Sequence, residues 1–306
     1  MRVRAPCGSG EGDAGGVDAN FAELLWSEVE VINNVGTTSS AGGVSIVQAD
    51  GVIQNSTFAG NAGADGGALF FEGRNHQLRV EQSTFSANTA DFGAGIRVSA
   101  NGDNGADSQA RLELLSSTLA DNTAAFGGAL GATSRNGATN AFASVTLKNT
   151  LLSNNGATAN AAIFAANRTS QGFNASNIAL PQLNSTGDVS PANTGLDLLA
   201  NNGGPVRTRA PRGGSSALDG GFSTNAFFDA RGFARQLDLA SITNFEFGDA
   251  SDIGAVEAQT APIAQPAAPT VAYSPIAGGS VAFASFEVGI NRGLVAVNSS
   301  GGVAPG

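Results

Sequence analysis

The chain has 306 residues, of which 42% are hydrophobic and only 13% are charged, so it can bury a sizeable core. Its net charge of −10 at pH 7 argues against nucleic acid as a partner, because phosphate binding needs clustered Lys and Arg. A single cysteine, Cys7, excludes an intrachain disulfide and sites built from several cysteines, and no apolar run reaches the length of a membrane span.

Residues 1–28 are predicted to be an irregular lead-in and an N-terminal cap. Arg2 and Arg4 are not followed by an apolar stretch, so the pattern is not that of a secretory signal peptide. Only the apolar spacing between Phe21 and Trp26 suits a helix, and it suits an irregular first coil or a cap equally well. We expect the sequence to be part of a larger polypeptide, because the first repeat starts abruptly.

One phrase recurs five times in residues 29–185 and organises the chain. Its copies are Val31–Asn34, Ser56–Asn61, Ser83–Asn88, Ser117–Asn122 and Asn149–Asn154. A run of small residues closed by an aliphatic one follows each copy, and a third apolar stretch precedes the next copy. A period of about 30 residues is typical of stacked supersecondary units. Three strand signals in each repeat predict a triangular coil.

The repeats predict an all-β fold, a right-handed parallel β-helix over residues 29–185. Stacking the coils places one large apolar residue of each in an interior column, namely Val31, Phe58, Phe85, Leu119 and Leu151. It also places one asparagine of each in a structural ladder at a corner, namely Asn34, Asn61, Asn88, Asn122 and Asn154. Asparagine tolerates the left-handed backbone of a sharp turn, and stacked amides can hydrogen-bond to one another.

Insertions lengthen the later repeats, always after the small-residue strand, so they would stack at one corner as a polar wall. The candidate binding residues in this wall are Arg74, His76, Asp103, Asp107, Arg135, Asn136 and Arg168. Asp103 and Asp107 could bind calcium, although two acids fall short of the usual six to eight oxygen ligands, and no other cofactor is expected. Solvated loops without a ligand are the alternative interpretation.

A threonine column is a further hypothesis. Thr57, Thr84, Thr118 and Thr150 align in the repeats. A flat, exposed row of threonines would suit binding to ice or to another crystal surface.

Four closing phrases follow the repeats, and their residues carry a family resemblance. They are Leu198–Pro205, Ser215–Gly221, Asp229–Arg235 and Asp252–Glu257. In this order they resemble the end of the bacterial surface proteins called choice-of-anchor Q domain proteins, which often carry a CSLREA segment. The repeats themselves are similar to those of polymorphic outer-membrane proteins. The chain departs from the family pattern at Ser216 and Leu218. The resemblance implies a β-helix located outside the bacterial cell or on its surface.

The closing phrases are predicted to form a cap over the last coil, in residues 186–258. Their acids and arginines are close in sequence and suit bidentate ion pairs that would cover exposed strand edges, and they are Asp219, Asp229, Arg231, Arg235, Asp252 and Glu257. A Pro-rich linker is predicted at 259–270. Residues 271–306 alternate like strands and are predicted to be a fragment of an immunoglobulin-like β-sandwich, since they are too few for a whole one.

No catalytic residue is predicted. Acids are dispersed along the coils, and the single histidine, His76, lies in an insertion loop. The interpretation that follows is an extracellular structural or adhesive module that presents the polar wall to glycan or to a surface protein. The alternative is a carbohydrate-active enzyme, either a polysaccharide lyase or a glycoside hydrolase, acting in the same wall.

Overall fold

The computed structural model describes residues 2–3, 14–21, 23–36, 41–101, 108–135, 141–157, 162–223 and 226–259; of Arg2, Val3 and Arg135 only the backbone is described. All regular structure in these ranges is β-strand. None of the residues in these ranges belongs to a helix that could cross a membrane. Residues 271–306, predicted to be a sandwich fragment, and the linker beyond Gln259 lie outside the described residues.

The described residues form 22 short strands. In chain order they are β1 Arg2–Val3, β2 Val17–Asn20, β3 Leu24–Ser27, β4 Glu30–Ile32, β5 Val44–Val47, β6 Gly51–Gln54, β7 Thr57–Ala59, β8 Leu69–Gly73, β9 His76–Glu81, β10 Thr84–Ser86, β11 Thr89–Phe92, β12 Ile96–Asn101, β13 Ser108–Leu115, β14 Thr118–Ala120, β15 Thr123–Phe126, β16 Leu130–Arg135, β17 Ala141–Lys148, β18 Leu151–Ser153, β19 Gly156–Ala157, β20 Ile163–Ala165, β21 Asn167–Ser170 and β22 Ala175–Ser176.

These strands build four parallel sheets. Sheet A contains β1, β4, β7, β10, β14, β18 and β22, sheet B contains β2, β5, β8, β12, β16 and β20, sheet C contains β3, β6, β9, β13, β17 and β21, and sheet D contains β11, β15 and β19. Strands that follow one another in the chain belong to different sheets, and each pairs with its counterpart in the next coil. The chain is therefore a parallel β-solenoid, and its all-β class is confirmed.

Each coil takes one strand from sheets A, B and C in turn, and sheet D adds a fourth side in the later coils. The first coil holds β1–β3, the second β4–β6, the third β7–β9, the fourth β10–β13, the fifth β14–β17 and the sixth β18–β21. Residues 14–28, expected to be an irregular lead-in, thus already form β2 and β3. The apolar spacing around Trp26 belongs to a strand and not to a helix.

The interior is filled by columns of aliphatic and aromatic side chains. Phe58 and Phe85 are fully buried in successive coils, and their rings stack with centroids 4.7 Å apart and an interplanar angle of 3°. Leu119 continues this column, but its partner in the next coil is Leu152 and not the predicted Leu151. The predicted register of the last phrase is therefore wrong by one residue.

The asparagine ladder shows the same shift. Side-chain Nδ2 atoms donate to Oδ1 of the next ladder residue at 2.9, 3.0, 2.8 and 2.9 Å, along the series Asn34, Asn61, Asn88, Asn122 and Asn155. The prediction that Asn154 is the fifth member is wrong. Asn154 is exposed and has a φ of 51°.

Asn155 replaces Asn154 in the ladder because Asn154 is the residue at which the backbone turns the corner. The residues in the left-handed region are those immediately before the ladder, namely Asn33, Gly60, Ala87, Asp121 and Asn154, with φ between 51° and 64°. A left-handed residue directs the chain around the corner, and the next side chain then points inward. The ladder asparagines are therefore not the left-handed residues that the sequence predicted.

Most of the predicted cap lies along the side of the solenoid. Residues 195–257, which we call the lateral segment, contact the outer face of sheet A in several coils. Arg207 Nε lies 3.0 Å from Glu30 Oε1 in the second coil, and Ala255 N donates to Thr118 Oγ1 at 3.0 Å in the fifth. The strands of sheet A from the second to the sixth coil are consequently buried on both faces.

The threonine column does not form an exposed surface. Thr57 and Thr84 are 0% exposed and Thr118 is 1% exposed, because they face the lateral segment. Thr150 does not join them, since Thr118 pairs with Leu151. The hypothesis of ice or crystal binding on this column is therefore wrong.

Residues 175–194 lie at the far end of the last coil. Leu180 and Leu183 are buried in the same core cluster as the coils. Val189 forms a parallel bridge with Ala175 of β22. This stretch covers strand edges that would otherwise be exposed at that end of the solenoid.

Candidate binding surface

The predicted polar wall corresponds to the corner where strands of sheet B end and strands of sheet C begin. We call the following group of residues the polar corner: Gln48, Asp50, Glu72, Arg74, Asn75, His76 and Asn101. The turn of the third coil is tight, because a Cβ at Gly73 would lie 2.9 Å from Cβ of His76 and Asn75 has a φ of 61°. Glycine and asparagine are the residues that such a turn favours.

Hydrogen bonds between successive coils hold the backbone of this corner. Arg74 N donates to Gln48 Oε1 at 3.2 Å, and Arg74 Nε donates to the carbonyl of Asn101 at 3.4 Å. Asn101 Nδ2 donates to Glu72 Oε1 at 3.1 Å. Three coils are thus linked at the corner, while Arg74 and Asn75 remain exposed.

Asp50 lies beside the single histidine. The Nδ1 atom of His76 lies 3.4 Å from Asp50 Oδ1, and the same oxygen accepts a hydrogen bond from Gln77 N at 2.7 Å. The two side chains are 27% and 63% exposed, so a ligand in solution can reach them. An imidazole beside a carboxylate is an arrangement that can bind a hydroxyl group.

The other predicted binding residues do not all join this corner. Asp103, Asp107 and Asn136 lie outside the described residues, so the proposed calcium ligands are not described. The backbone of Arg135 pairs with Asn101 and therefore lies at the corner. Arg168 lies apart, at the end of the core beside Leu147, Ile163 and Leu180, and it donates to the carbonyl of Ala165. Desolvation by burial lowers the pKa of Arg168.

Sequence reasoning missed Gln48, Asp50, Glu72 and Asn101. The signal was present in the repeat, since Gln48 lies 26 residues before Arg74 and Asp50 lies 27 before Gln77. Tracing each insertion back by one repeat length would have placed these residues beside it.

The ion pairs predicted for the closing phrases form inside the lateral segment. The six side chains named in that prediction are all buried, and two of the possible pairs form; the residues are Asp219, Asp229, Arg231, Arg235, Asp252 and Glu257. Arg231 Nη2 lies 2.7 Å from Asp229 Oδ2, and Arg235 Nη1 lies 3.8 Å from Glu257 Oε2. We call these six residues the charged cluster.

Backbone N–H and carbonyl groups form hydrogen bonds with several side chains of the charged cluster. Glu257 Oε2 accepts from Asp252 N at 2.8 Å, and Asp229 Oδ2 accepts from Glu257 N at 2.9 Å. Arg235 donates to the carbonyls of Asp252 and Gly254. These contacts join the last two closing phrases to each other, so the cluster has a structural role.

Burial changes the acidity of this cluster. Desolvation, with a smaller contribution from the charge of the neighbouring Asp252, raises the pKa of Glu257 to about 8. Desolvation likewise raises the pKa of Asp252 to about 6. No group of three or more His, Cys, Asp or Glu among the described residues is arranged to hold a metal ion.

Comparisons with protein-family models, with curated proteins and with solved structures return no match for this chain.

Proposed function

We propose that the chain is a structural or adhesive module that binds glycan or protein at its polar corner. The observation that carries this proposal is the corner itself, where a guanidinium, an imidazole and exposed amides from consecutive coils stand on a backbone fixed by hydrogen bonds. A rigid row of polar groups suits weak contacts repeated along an extended partner. The outer face of sheet A cannot serve instead, because the lateral segment occupies it.

Several finer features belong to the same proposal. The resemblance to choice-of-anchor Q proteins supports a location outside a bacterial cell or on its surface, with residues 271–306 as a sandwich fragment within a larger polypeptide. Right-handed coiling is expected, because crossover connections between parallel strands almost always have that hand. Calcium bound by Asp103 and Asp107 stays part of the proposal as an optional ligand.

The binding test uses the whole chain on a panel of immobilised polysaccharides and surface proteins, with and without calcium. We expect retention that falls partly in Arg74→Ala and in His76→Ala, because each removes one of several contacts. Arg212→Ala is the matched control, since Arg212 is 57% exposed on the lateral segment and away from the corner. Equal losses in all three variants, or no retention on any member of the panel, would contradict the proposal.

The Asp50 and His76 pair favours the enzymatic alternative. A carboxylate on Nδ1 would orient the imidazole so that its other nitrogen could act as a general base on a sugar substrate. The test is the release of reducing or unsaturated ends from the same polysaccharides. If the chain is an enzyme, Asp50→Asn and His76→Gln should abolish release while retention persists. Retention without release in the unmodified chain would support the binding module alone.

A further inference from the structure

A second surface lies at the opposite edge of sheet B, where its strands begin. Four consecutive coils each contribute one partly exposed phenylalanine there, and the residues are Phe70, Phe92, Phe126 and Phe164. Phe70 and Phe164 stand on the outer face of sheet B, while Phe92 and Phe126 end strands of sheet D. We call these four residues, with Arg97 and Asp65, the aromatic groove.

Three of the rings form one cluster. Phe92 and Phe126 stack with centroids 5.9 Å apart and an interplanar angle of 22°. Phe164 meets them edge-on, 5.3 Å from Phe92 and 5.9 Å from Phe126. Phe126 is nevertheless 37% exposed. Part of the Phe126 side chain is therefore accessible to a ligand in solution.

A glycine on sheet B leaves room for the ring of Phe92. Gly131 lies beneath Phe92, and a Cβ at this position would be 2.4 Å from an atom of the ring. Any larger residue at 131 would push Phe92 away from the sheet. The position of the Phe92 ring against the sheet therefore depends on this glycine.

The charge in the groove is balanced within it. The guanidinium of Arg97 lies 4.3 Å from the centroid of Phe92, and its Nε lies 3.5 Å from Asp65 Oδ1. Arg97 Nη2 also donates to Thr133 Oγ1 at 2.7 Å. Arg97 is only 8% exposed, and its charge faces a carboxylate, so it offers little to an anionic ligand. The net charge of −10 on the whole chain opposes anionic polymers further.

We infer that the aromatic groove binds a neutral polysaccharide. Apolar faces of sugar rings pack on aromatic side chains, and a few polar groups fix their orientation. Here Asp65 and Thr133 can accept or donate hydrogen bonds to hydroxyl groups. The centroids of Phe92, Phe126 and Phe164 lie 5.3–5.9 Å from one another, so the three rings together offer one contact surface.

The inference is tested by electrophoresis of the whole chain through gels that contain a neutral glucan, a neutral mannan or polygalacturonate. We expect the neutral polymers to retard the chain, with little effect of salt, and Phe126→Ala to weaken binding at least tenfold. Phe142→Ala is the matched control, because Phe142 is 47% exposed on sheet C, outside the groove, and should leave binding unchanged.

Two results would overturn the inference. One is the absence of retardation by both neutral polymers, whether or not polygalacturonate retards the chain. The other is an equal loss of binding in Phe126→Ala and Phe142→Ala. Circular dichroism of each variant separates a loss of fold from a loss of binding, and Gly131→Ala, which displaces Phe92, provides a second disruption of the groove. Arg74→Ala should retain groove binding, so failure at the polar corner and failure here are distinguishable.

Discussion

The three inner ladder asparagines, Asn61, Asn88 and Asn122, use the whole side-chain amide at the corner of the coil. Asn88 is fully buried; its Nδ2 donates to the carbonyl of Phe58 at 3.0 Å and to Asn122 Oδ1 at 2.8 Å. Its Oδ1 accepts from both N and Nδ2 of Asn61 at 3.0 Å. Two donors and two acceptor sites are thus all paired inside the core, which is the full capacity of an amide.

Asn88→Ala should therefore be strongly destabilising. It removes the acceptor of two donors of Asn61 and the donor to the Phe58 carbonyl, and each unpaired buried group costs about 1–3 kcal/mol. We expect a loss of about 3–5 kcal/mol in the free energy of unfolding, measured by urea denaturation. Asn154→Gly is the control, because Asn154 is exposed and glycine accepts its positive φ, so the change should stay below about 1 kcal/mol. Similar losses in the two variants would contradict the ladder register.

The ladder also shows which residues of the corner can be predicted from the sequence. Four of its five members follow from the repeated phrase, because a period and an invariant residue type determine a column. The fifth does not, since Asn154 and Asn155 are adjacent and composition cannot say which one turns the chain. The backbone decides: the residue in the left-handed region is the one before the ladder in every coil.

The lateral segment connects coils that are far apart in sequence. Arg209 Nη1 pairs with Asp121 and contacts Ser86 Oγ, while its Nε donates to the carbonyl of Asp197 at 2.8 Å. Beside the last coil, Asn149 Nδ2 donates to the carbonyl of Asp252 in the segment at 3.1 Å. The segment attaches to sheet A through polar and charged groups. These contacts bury the threonines on the outer face of sheet A.

Arg209→Ala should loosen this attachment. Arg209 is 6% exposed, and removing one partner of a largely buried ion pair leaves the other uncompensated, at a cost of about 2–4 kcal/mol, less than a fully buried pair because Asp121 is 37% exposed. Hydrogen exchange at residues 196–212 should accelerate before that of the coils. Arg212→Ala is the control, since its pair with Asp197 is exposed on both sides and is worth about 0–1 kcal/mol. Unchanged exchange in Arg209→Ala would argue that the segment is held elsewhere.

Sequence could predict the partners within the charged cluster but not the position of the segment. Arg231 and Asp229 are two residues apart, and Arg235 and Glu257 belong to neighbouring phrases, so their pairing follows from proximity. Arg207 and Glu30 are 177 residues apart and share no repeat. Similarly, the aromatic groove combines residues from two different sheets, and only the folded coil brings their columns together.

The whole molecule is more tightly coupled than an ordinary solenoid. In repeat proteins each unit contacts only its neighbours, so the ends can unfold independently. Here the lateral segment reaches from the second coil to the sixth, and unfolding a single coil would break its contacts. The charged cluster holds this segment together, so the protonation of its carboxyl groups bears on the stability of the whole chain.

Stability should fall as pH rises from about 5 to about 8.5. The pKa values of Asp252 and Glu257 are raised by burial to about 6 and about 8, above the ordinary 3.8 and 4.5, so the folded chain holds more protons than the unfolded chain in this window. The stabilisation is complete below the ordinary values and is lost as pH rises through the folded ones. Asp249 does not offset it, because its pKa is lowered and therefore acts at more acidic pH.

Urea denaturation at each pH measures this loss, which we expect to be on the order of a few kcal/mol, since one pKa unit corresponds to about 1.4 kcal/mol. Glu257→Gln should flatten the dependence, because an amide does not titrate, even though it weakens the chain by exchanging an acceptor for a donor. Glu246→Gln, an exposed position on the same segment, should leave the slope unchanged. A free energy of unfolding that rises with pH in this range would show that the cluster is ionised in the folded chain.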